Sequence, residues 1–289
     1  MSKENSYKIS LFVLVVIIIT QIFYILNLKN ENIDLKKVVV IEAKSDEKLK
    51  TDIFEKVGKE NWKIEHKIDF NSLKKKYSGN IIEKDISKMS VEEKKKHFLE
   101  TVLSPIRESY DKLVITYKNV SKLRSKELTI EDEEYLTILY DRYRVKKGDF
   151  DSLLKAIKPH PVSLIISQAI LSSGWGESRF FSEGNNIFSL ISIDDKDDRM
   201  KAKNANVYMK KYDSLVESVD DYMLLLGRGE NYTEFREVRG NTKDPYELSK
   251  YLSNFSEDSK YSKKIRDTIK YNRLSKFDKE EKKSKLIIN

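Results

Sequence analysis

The chain has no cysteine among its 289 residues and only three histidines, His66, His97 and His160. The absence of cysteine excludes disulfide bonds, a cysteine nucleophile and metal sites built from thiolates. No pair of histidines has the His-x-x-x-His spacing of a helical zinc site, so we predict neither a metal nor a cofactor. Glycine, with 9 residues, and proline, with 4, are also scarce, which excludes collagen-like and low-complexity chains and favours helix.

Charge of one sign is not segregated along the chain. The 55 Lys and Arg exceed the 47 Asp and Glu, for a formal net charge of +8. Acidic residues nevertheless alternate with basic ones, as in the segment from Lys44 to Lys48. Interleaved charges are typical of a solvated helical surface, whereas a nucleic-acid-binding domain concentrates its basic residues on one face. We therefore predict no nucleic-acid partner.

A long uncharged run, ISLFVLVVIIITQIFYILNL, occupies residues 9–28. About 20 such residues cross the hydrocarbon core of a bilayer as a helix. A cleavable signal peptide, the alternative, would have a shorter apolar core and a cleavage site with small residues, and neither is visible. We predict an uncleaved transmembrane anchor at 9–28 after a short tail at 1–8. Lysines flank the run on both sides and do not fix its orientation.

The rest of the chain divides by its periodicity. Residues 29–88 are Lys-rich and poorly periodic, which predicts a stalk or linker, with a small extra subdomain as the alternative. From Ser90 the pattern is helical: Ser90 and Glu93 form a capping box, and apolar residues recur every fourth position at Phe98, Val102, Ile106 and Tyr110. We predict a helical domain at 90–278 and a charged tail at 279–289.

Further start signals lie within the helical domain. Thr129, Ser214 and Asp244 stand before helical patterns as N-cap residues, and a helix that opens at Pro161 should stop at Gly174. Residues 184–213 instead combine turn residues with a short alternating stretch. The predicted fold is therefore mainly α, with a small β-hairpin lobe and an N-terminal transmembrane helix.

Two motifs carry a family resemblance. The run QAILSSGWGESRF at 168–180 is followed by EGNNIF at 183–188. Together they resemble the glucosaminidase domain of cell-wall hydrolases (the mannosyl-glycoprotein endo-beta-N-acetylglucosaminidase-like family), and specifically its Bax-like branch, which pairs Q-A-x-x-E-S-G-W-G-x-S-R-F with G-N-N-L-F. The likeness continues from Tyr232 to Arg239 and around Tyr261.

The resemblance implies a lysozyme-like, α-rich fold over residues 90–278. Family members are glycoside hydrolases that cleave N-acetylglucosaminyl linkages in the glycan strands of peptidoglycan, so these strands are the implied partner. A wall-directed domain must lie outside the cytoplasm. The expected location is thus the cell membrane, with a single pass and the main domain on the periplasmic or cell-wall side. The sequence does not identify a protein partner.

One departure from the family motif bears on catalysis. The family's general acid is the Glu of E-S-G-W-G, and Ser172 stands at that position. Glycoside hydrolysis needs a carboxylic acid that protonates the leaving oxygen, which a serine hydroxyl cannot do near neutral pH. Three hypotheses follow: an enzyme whose acid is relocated to Glu177 or, further along, Glu183; an inactive pseudoenzyme that still binds glycan; or a structural or assembly role for a tethered domain.

Other motif positions are candidates for substrate binding. Gln168 lies one turn before Ser172 on the same helical face. Rings and amides suited to acetamido sugars occur at Trp175, Asn185, Asn186 and Phe188. The alternative for Trp175 and Phe188 is core packing. The alternative for the two asparagines is a turn, because Asn tolerates the left-handed region.

Tyr232 matches a family tyrosine that lines the site and assists the acid chemistry, with a core position as the alternative. The polar N-L-N-T-H stretch before that tyrosine is replaced here by Leu225–Gly229, and the glycine after N-L-F is replaced by Ser189. The four aspartates between 194 and 198 lack the spacing of a calcium loop and are expected in a solvated loop. They are also the local source of a second carboxylate, should hydrolysis require one.

Overall fold

A computed structural model describes residues 88–203 and 205–278. All of them belong to one compact unit, Asp69–Asn289. Several predicted segments lie outside the described residues, namely the tail at 1–8, the anchor at 9–28, the stalk except its last residue, and the tail at 279–289. Within the part of the chain that the structure describes, no helix combines the length and the apolar character needed to cross a membrane.

Helix α1 (Val91–Leu123) contains 33 residues and is about 50 Å long at 1.5 Å per residue. It begins at the predicted capping box. The Ser90 hydroxyl accepts the Glu93 amide at 3.3 Å, and the Glu93 carboxylate accepts the Ser90 amide at 2.8 Å. The predicted apolar stripe is buried along its whole length: Phe98, Val102, Ile106 and Tyr110.

The next two helices begin at acidic or hydroxyl caps. Helix α2 (Ile130–Tyr143) starts after Thr129, which exchanges hydrogen bonds with Asp132 in a second capping box. Helix α3 (Phe150–Ile157) starts after Asp149, whose carboxylate accepts the amide of Ser152. The prediction of a helix start at Thr129 is therefore confirmed.

Helix α4 (Val162–Ser173) is the buried centre of the described unit. Every residue from 162 to 170 is buried, which is the pattern of a helix covered on all sides. Pro161 caps its start, and Gly174 ends it with φ = 60° in the left-handed region, as predicted. Helix α1 packs against both α3 and α4.

A small sheet follows the short helix α5 (Arg179–Gly184). Its strands are β1 (Ile191–Ser192), β2 (Arg199–Lys201) and β3 (Tyr208–Lys210). The sheet is antiparallel in the order β1-β3-β2, with Met209 opposite both Ile191 and Met200. The predicted hairpin is present as β2 and β3, and β1 adds a strand that the sequence pattern did not indicate.

The C-terminal part returns to helix. Its elements are α6 (Leu215–Arg228), a 3₁₀ turn (Glu230–Tyr232), α7 (Thr233–Asn241), α8 (Pro245–Leu248), a longer 3₁₀ segment (Ser249–Phe255) and α9 (Tyr261–Tyr271). Ser214 and Asp244 cap α6 and α8 as predicted. Helix α6 packs on α1, and α9 packs on α4. The described fold is mainly helical. Elements that pack on α4, such as α9, supply side chains around its C-terminal end.

Candidate functional site

Ser172 lies at the C-terminal end of α4 and is half-buried. Its carbonyl oxygen accepts a hydrogen bond of 3.0 Å from the Ser189 hydroxyl. Its side chain hydrogen-bonds to the hydroxyl of Tyr261, the first residue of α9. The position at which the motif resemblance predicts the acid is thus occupied by one hydroxyl that is paired with another.

The turn after Ser172 is left-handed over three consecutive residues. The φ angles of Gly174, Trp175 and Gly176 are 60°, 59° and 84°. Such a conformation costs a tryptophan about 1–2 kcal/mol. Packing on α1 holds it: the Trp175 ring meets Phe98 edge-on at 5.7 Å, and the Lys95 ammonium lies 5.5 Å from the ring centroid. Trp175 therefore packs on α1 while remaining half-exposed.

The two candidate acids are both in surface ion pairs. Glu177 forms an ion pair of 2.6 Å with Lys94 on α1, and its side chain is 56% exposed. Glu183 pairs with Arg179 at 3.3 Å on its own helix. Among the described residues, no hydrogen bond connects either carboxylate to Ser172. The structure thus directs Glu177 towards α1 and Glu183 towards Arg179 on its own helix.

The EGNNIF segment serves mainly to fix the loop. Asn185 ends α5 with φ = 51° and donates to the Tyr212 carbonyl at 2.9 Å. Asn186 is fully buried and bonds the backbone of Leu190 and Lys210 through its amide. Phe188 stacks on Tyr222 with ring centroids 3.9 Å apart. These contacts match the turn and packing alternatives for the three residues.

Gln168 belongs to a buried polar chain of five side chains: Arg239, His160, Tyr222, Gln168 and Tyr261. Its links measure 3.4 Å from Arg239 Nη1 to His160 Nδ1 and 3.3 Å from His160 Nε2 to the Tyr222 hydroxyl. The Tyr222 hydroxyl then donates to Gln168 Oε1 at 2.7 Å. Gln168 Nε2 donates to the Tyr261 hydroxyl at 3.3 Å. The polar chain thereby reaches the hydroxyl that contacts Ser172.

Aromatic rings complete the surroundings of this hydroxyl. Phe255 stacks on Tyr261 at 5.9 Å with an interplanar angle of 10°, and it lies 6.5 Å from Tyr232. We use the name Ser172 site for five residues: Gln168, Ser172, Tyr232, Phe255 and Tyr261. Tyr232, the predicted family tyrosine, is thus connected to Tyr261 through the ring of Phe255.

Burial sets the protonation of the groups in and behind the Ser172 site. It raises the pKa of Tyr232 to about 12. It also raises the pKa of Tyr261 to about 12, although hydrogen bonds from Gln168 and Ser172 oppose the change. Burial lowers the pKa of His160 well below its usual value, and the Arg239 charge adds to this effect. At neutral pH the site therefore offers neutral hydroxyls, which are good hydrogen-bond donors and poor proton donors.

Three of the four aspartates between 194 and 198 are engaged within their own lobe. Asp197 accepts the Ser192 hydroxyl at 2.9 Å, and Asp198 pairs with Lys211 at 3.3 Å. Asp194 accepts the Lys196 amide at 3.0 Å. In the described ranges, no group of His, Asp or Glu side chains is arranged to hold a metal ion.

The Leu225–Gly229 stretch has a packing function. A Cβ added at Gly229 would lie 2.9 Å from Cδ2 of Tyr232, and one at Gly227 would lie 2.7 Å from Cε1 of Tyr143. Both glycines therefore permit close contacts. A cavity of about 340 Å³ beside this stretch is lined by Tyr143, Lys155 and Arg236 among others, and none of the predicted site residues lines it.

Four of the five members of the polar chain were not predicted as site residues. Arg239 and Tyr261 occur in segments that resemble the family, yet nothing in their local pattern marks them as partners. Tyr222 lies in α6 with core spacing, and His160 precedes α4 in a loop. Their sequence separations of 54 to 93 residues hide the connection.

Comparison with known proteins shows what part of the chain is similar to the glucosaminidase family. A family model described as mannosyl-glycoprotein endo-beta-N-acetylglucosaminidase matches residues 148–274. The chain is 28% identical to Protein bax of Escherichia coli over 157 residues, which are 50% of this chain and 55% of the relative. It is 27% identical to Exo-glucosaminidase LytG of Bacillus subtilis over 154 residues, 49% of each chain.

The chain thus spans about half the length of these curated relatives. Among solved structures, the catalytic domain of the autolysin Auto from Listeria monocytogenes aligns with a TM-score of 0.36 and 20% identity, covering 56% of this chain and 96% of that one. The family match and the two relatives agree with the motifs at 168–188. Residues 148–274 therefore match the glucosaminidase domain family, and the chain is similar to Bax and LytG over about half of its length.

Proposed function

We propose that this chain is a membrane-tethered, peptidoglycan-directed glucosaminidase-like protein that binds glycan strands at the Ser172 site without hydrolysing them. The observation that carries the proposal is the pairing of the Ser172 and Tyr261 hydroxyls at the place of the family's acid. These groups can hydrogen-bond an acetamido sugar, and the neighbouring rings can pack on its apolar face. Neither hydroxyl can protonate a leaving oxygen efficiently near neutral pH.

The substrate class rests on the family and on one relative. Exo-glucosaminidase LytG is named for an activity on glucosaminide linkages, and this supports N-acetylglucosaminyl units as the ligand. The alignment covers half of that relative. The mixed-charge surface, with a net charge of +8, favours contact with an anionic wall or membrane surface.

Hydrolysis with Glu177 as the relocated acid is the second candidate function. It is favoured by the position of this carboxylate, which is exposed and lies two residues after Trp175 on the left-handed turn. The Lys94 ion pair is on the surface, where such pairs contribute about 0–1 kcal/mol, so a bound glycan could displace it. Glu183 lies in a similar exposed ion pair and provides a matched control.

The membrane and location parts of the proposal rest on residues 9–28. The uncharged run there has the length of a single span. A domain that binds peptidoglycan must face the wall, so we place the main domain on the periplasmic or cell-wall side. This orientation follows from the proposed ligand, because the flanking lysines do not determine it.

The decisive experiment incubates the full-length protein with insoluble peptidoglycan and measures both co-sedimentation and new reducing ends. Co-sedimentation without new reducing ends is the expected result. New reducing ends that disappear in Glu177→Gln and persist in Glu183→Gln would establish the hydrolytic candidate instead. Neither binding nor release, in a folded protein, would refute both and leave the structural or assembly role.

A further inference from the structure

Arg239 is a buried cation whose positive charge is stabilised by backbone carbonyls and, among the described residues, not by a carboxylate. Its side chain is 2% exposed, and within the described part of the chain no carboxylate forms a hydrogen bond or an ion pair with it. Nη2 instead donates to the carbonyls of Lys155 and Ala156 at 2.7 and 3.0 Å, at the C-terminal end of α3. These carbonyls carry the negative end of the helix dipole, which stabilises the guanidinium.

The Nη1 group of Arg239 is the first donor of the polar chain, and it fixes the direction in which the following hydrogen bonds are donated. A guanidinium can only donate, so His160 Nδ1 must accept from Arg239. The proton of the neutral imidazole then resides on Nε2 and is donated to the Tyr222 oxygen at 3.3 Å. The Tyr222 proton is consequently available for Gln168 Oε1, which can only accept.

The direction continues to the Ser172 site. With its oxygen occupied by Tyr222, Gln168 presents its amide hydrogens to Tyr261 and donates to that hydroxyl at 3.3 Å. Every link therefore donates away from Arg239 and towards α9. Ser172 also donates to the Tyr261 oxygen, so neither Gln168 nor Ser172 uses the Tyr261 proton, which is left for an acceptor on a ligand.

We infer that the polar chain makes the Tyr261–Ser172 hydroxyl pair a fixed hydrogen-bond donor to an acceptor oxygen of a bound N-acetylglucosaminyl unit. Tyr261 and Ser172 contact the ligand, and Arg239, His160, Tyr222 and Gln168 are positioning residues that act through them. This inference rests on the proposed function. It adds the direction of hydrogen bonding: the site donates, and the ligand accepts through an acetamido carbonyl or glycosidic oxygen. Hydroxyl hydrogens that already point in this direction lose less rotational freedom on binding.

The direction of the chain can be measured without a ligand. The protein has three histidines, so nitrogen-15 NMR of histidine-labelled full-length protein at pH 7 gives three ring systems, and His160→Gln identifies the one of interest. We expect a neutral His160 ring protonated at Nε2. A ring protonated at Nδ1, or at both nitrogens, would overturn the inference, since Arg239 could then not donate to it.

The effect on the Ser172 site is measured with tri-N-acetylchitotriose as the soluble probe. Tyr261→Phe and Tyr222→Phe each remove one hydroxyl from the polar chain, and Tyr140→Phe removes a buried hydroxyl outside it. We expect about tenfold weaker binding for Tyr261→Phe, in keeping with one lost hydrogen bond. We expect a smaller loss for Tyr222→Phe and none for Tyr140→Phe.

The outcomes separate the inference from the proposed function. A wild-type protein that binds neither the probe nor peptidoglycan refutes the proposed function and the ligand assignment with it. Equal binding by wild type, Tyr261→Phe and Tyr222→Phe refutes only the inference. If a variant does not fold, as judged by circular dichroism, the His160 tautomer in the wild type still decides whether the hydrogen bonds of the polar chain are donated in the inferred direction.

Discussion

The Ser189 hydroxyl donates a hydrogen bond of 3.0 Å to the carbonyl oxygen of Ser172, and so joins the two positions at which the sequence predicts departures from the family motif. Ser189 has φ = 52°, a left-handed conformation that glycine, the family residue, adopts at less cost. Its side chain is committed to the end of α4. The two replacements therefore form one local arrangement, and a change at either should alter the position of the other.

Ser172→Glu is expected to create or raise hydrolysis of peptidoglycan. The new carboxyl group would stand at the family's acid position, next to Tyr261 and against buried surroundings that favour its protonated form. The measurement is the yield of reducing ends relative to wild type, with Ser182→Glu, an exposed serine on α5, as the control. A folded Ser172→Glu protein that binds and releases nothing would show that other departures, such as Leu225–Gly229, also prevent the reaction.

Acid should destabilise the protein through His160. Burial, and then the Arg239 charge, hold its folded pKa well below 6.5. The unfolded chain binds a proton below about pH 6.5 and the folded chain does not, so this contribution is intact above that pH and is lost below it.

Between pH 6.5 and 5.5 the expected loss from this one group is about 1 kcal/mol in the free energy of unfolding. Urea unfolding of wild type and His160→Gln at both pH values tests it, because other titrating groups are common to the two proteins. Equal pH dependence in wild type and variant would contradict the prediction.

Gly229→Ala should destabilise the fold and disturb Tyr232. The added Cβ would lie 2.8 Å from the Leu225 carbonyl and 2.9 Å from the Tyr232 ring, distances that force a shift. Overpacking of this kind costs about 1–3 kcal/mol. Gly240→Ala on α7 is the control: its Cβ meets nothing within 4 Å, and alanine is the better helix former. Equal stability of the two variants would argue against a packing role for Gly229.

The anchor prediction is tested by the state of the N-terminus. We expect full-length protein, with residues 1–28 intact, in the membrane fraction, because an uncharged run of this length is stable in a bilayer. A variant that lacks residues 9–28 should leave that fraction. A mature chain that begins near residue 30 would instead identify the run as a cleaved signal peptide.

Helix starts were predictable from the sequence because their causes are local. The capping hydroxyls of Ser90 and Thr129 find their partners three residues ahead, and both capping boxes are present in the structure. The end of α4 at Gly174 is equally local, since it needs a left-handed residue. The short strand β1 escaped prediction because two residues carry no readable alternation.

Residues of the site could be predicted from the sequence only where they belong to a recognised motif. Gln168 follows from its spacing to Ser172, yet its partner Tyr261 is 93 residues away. The ion pair that holds Glu177 comes from Lys94, 83 residues earlier on α1. Such contacts depend on how the helices pack, and a single sequence does not record that packing.

The polar chain also has a consequence for the order of folding. Its links join residues separated by 54 to 93 positions and come from α4, α6, α7, α9 and the loop before α4. Contacts between distant residues form late, because the entropy of closing the intervening segments must be lost first. The Ser172 site should therefore acquire its hydrogen-bonding order only when the last of these helices docks, so that ligand binding reports the completion of folding.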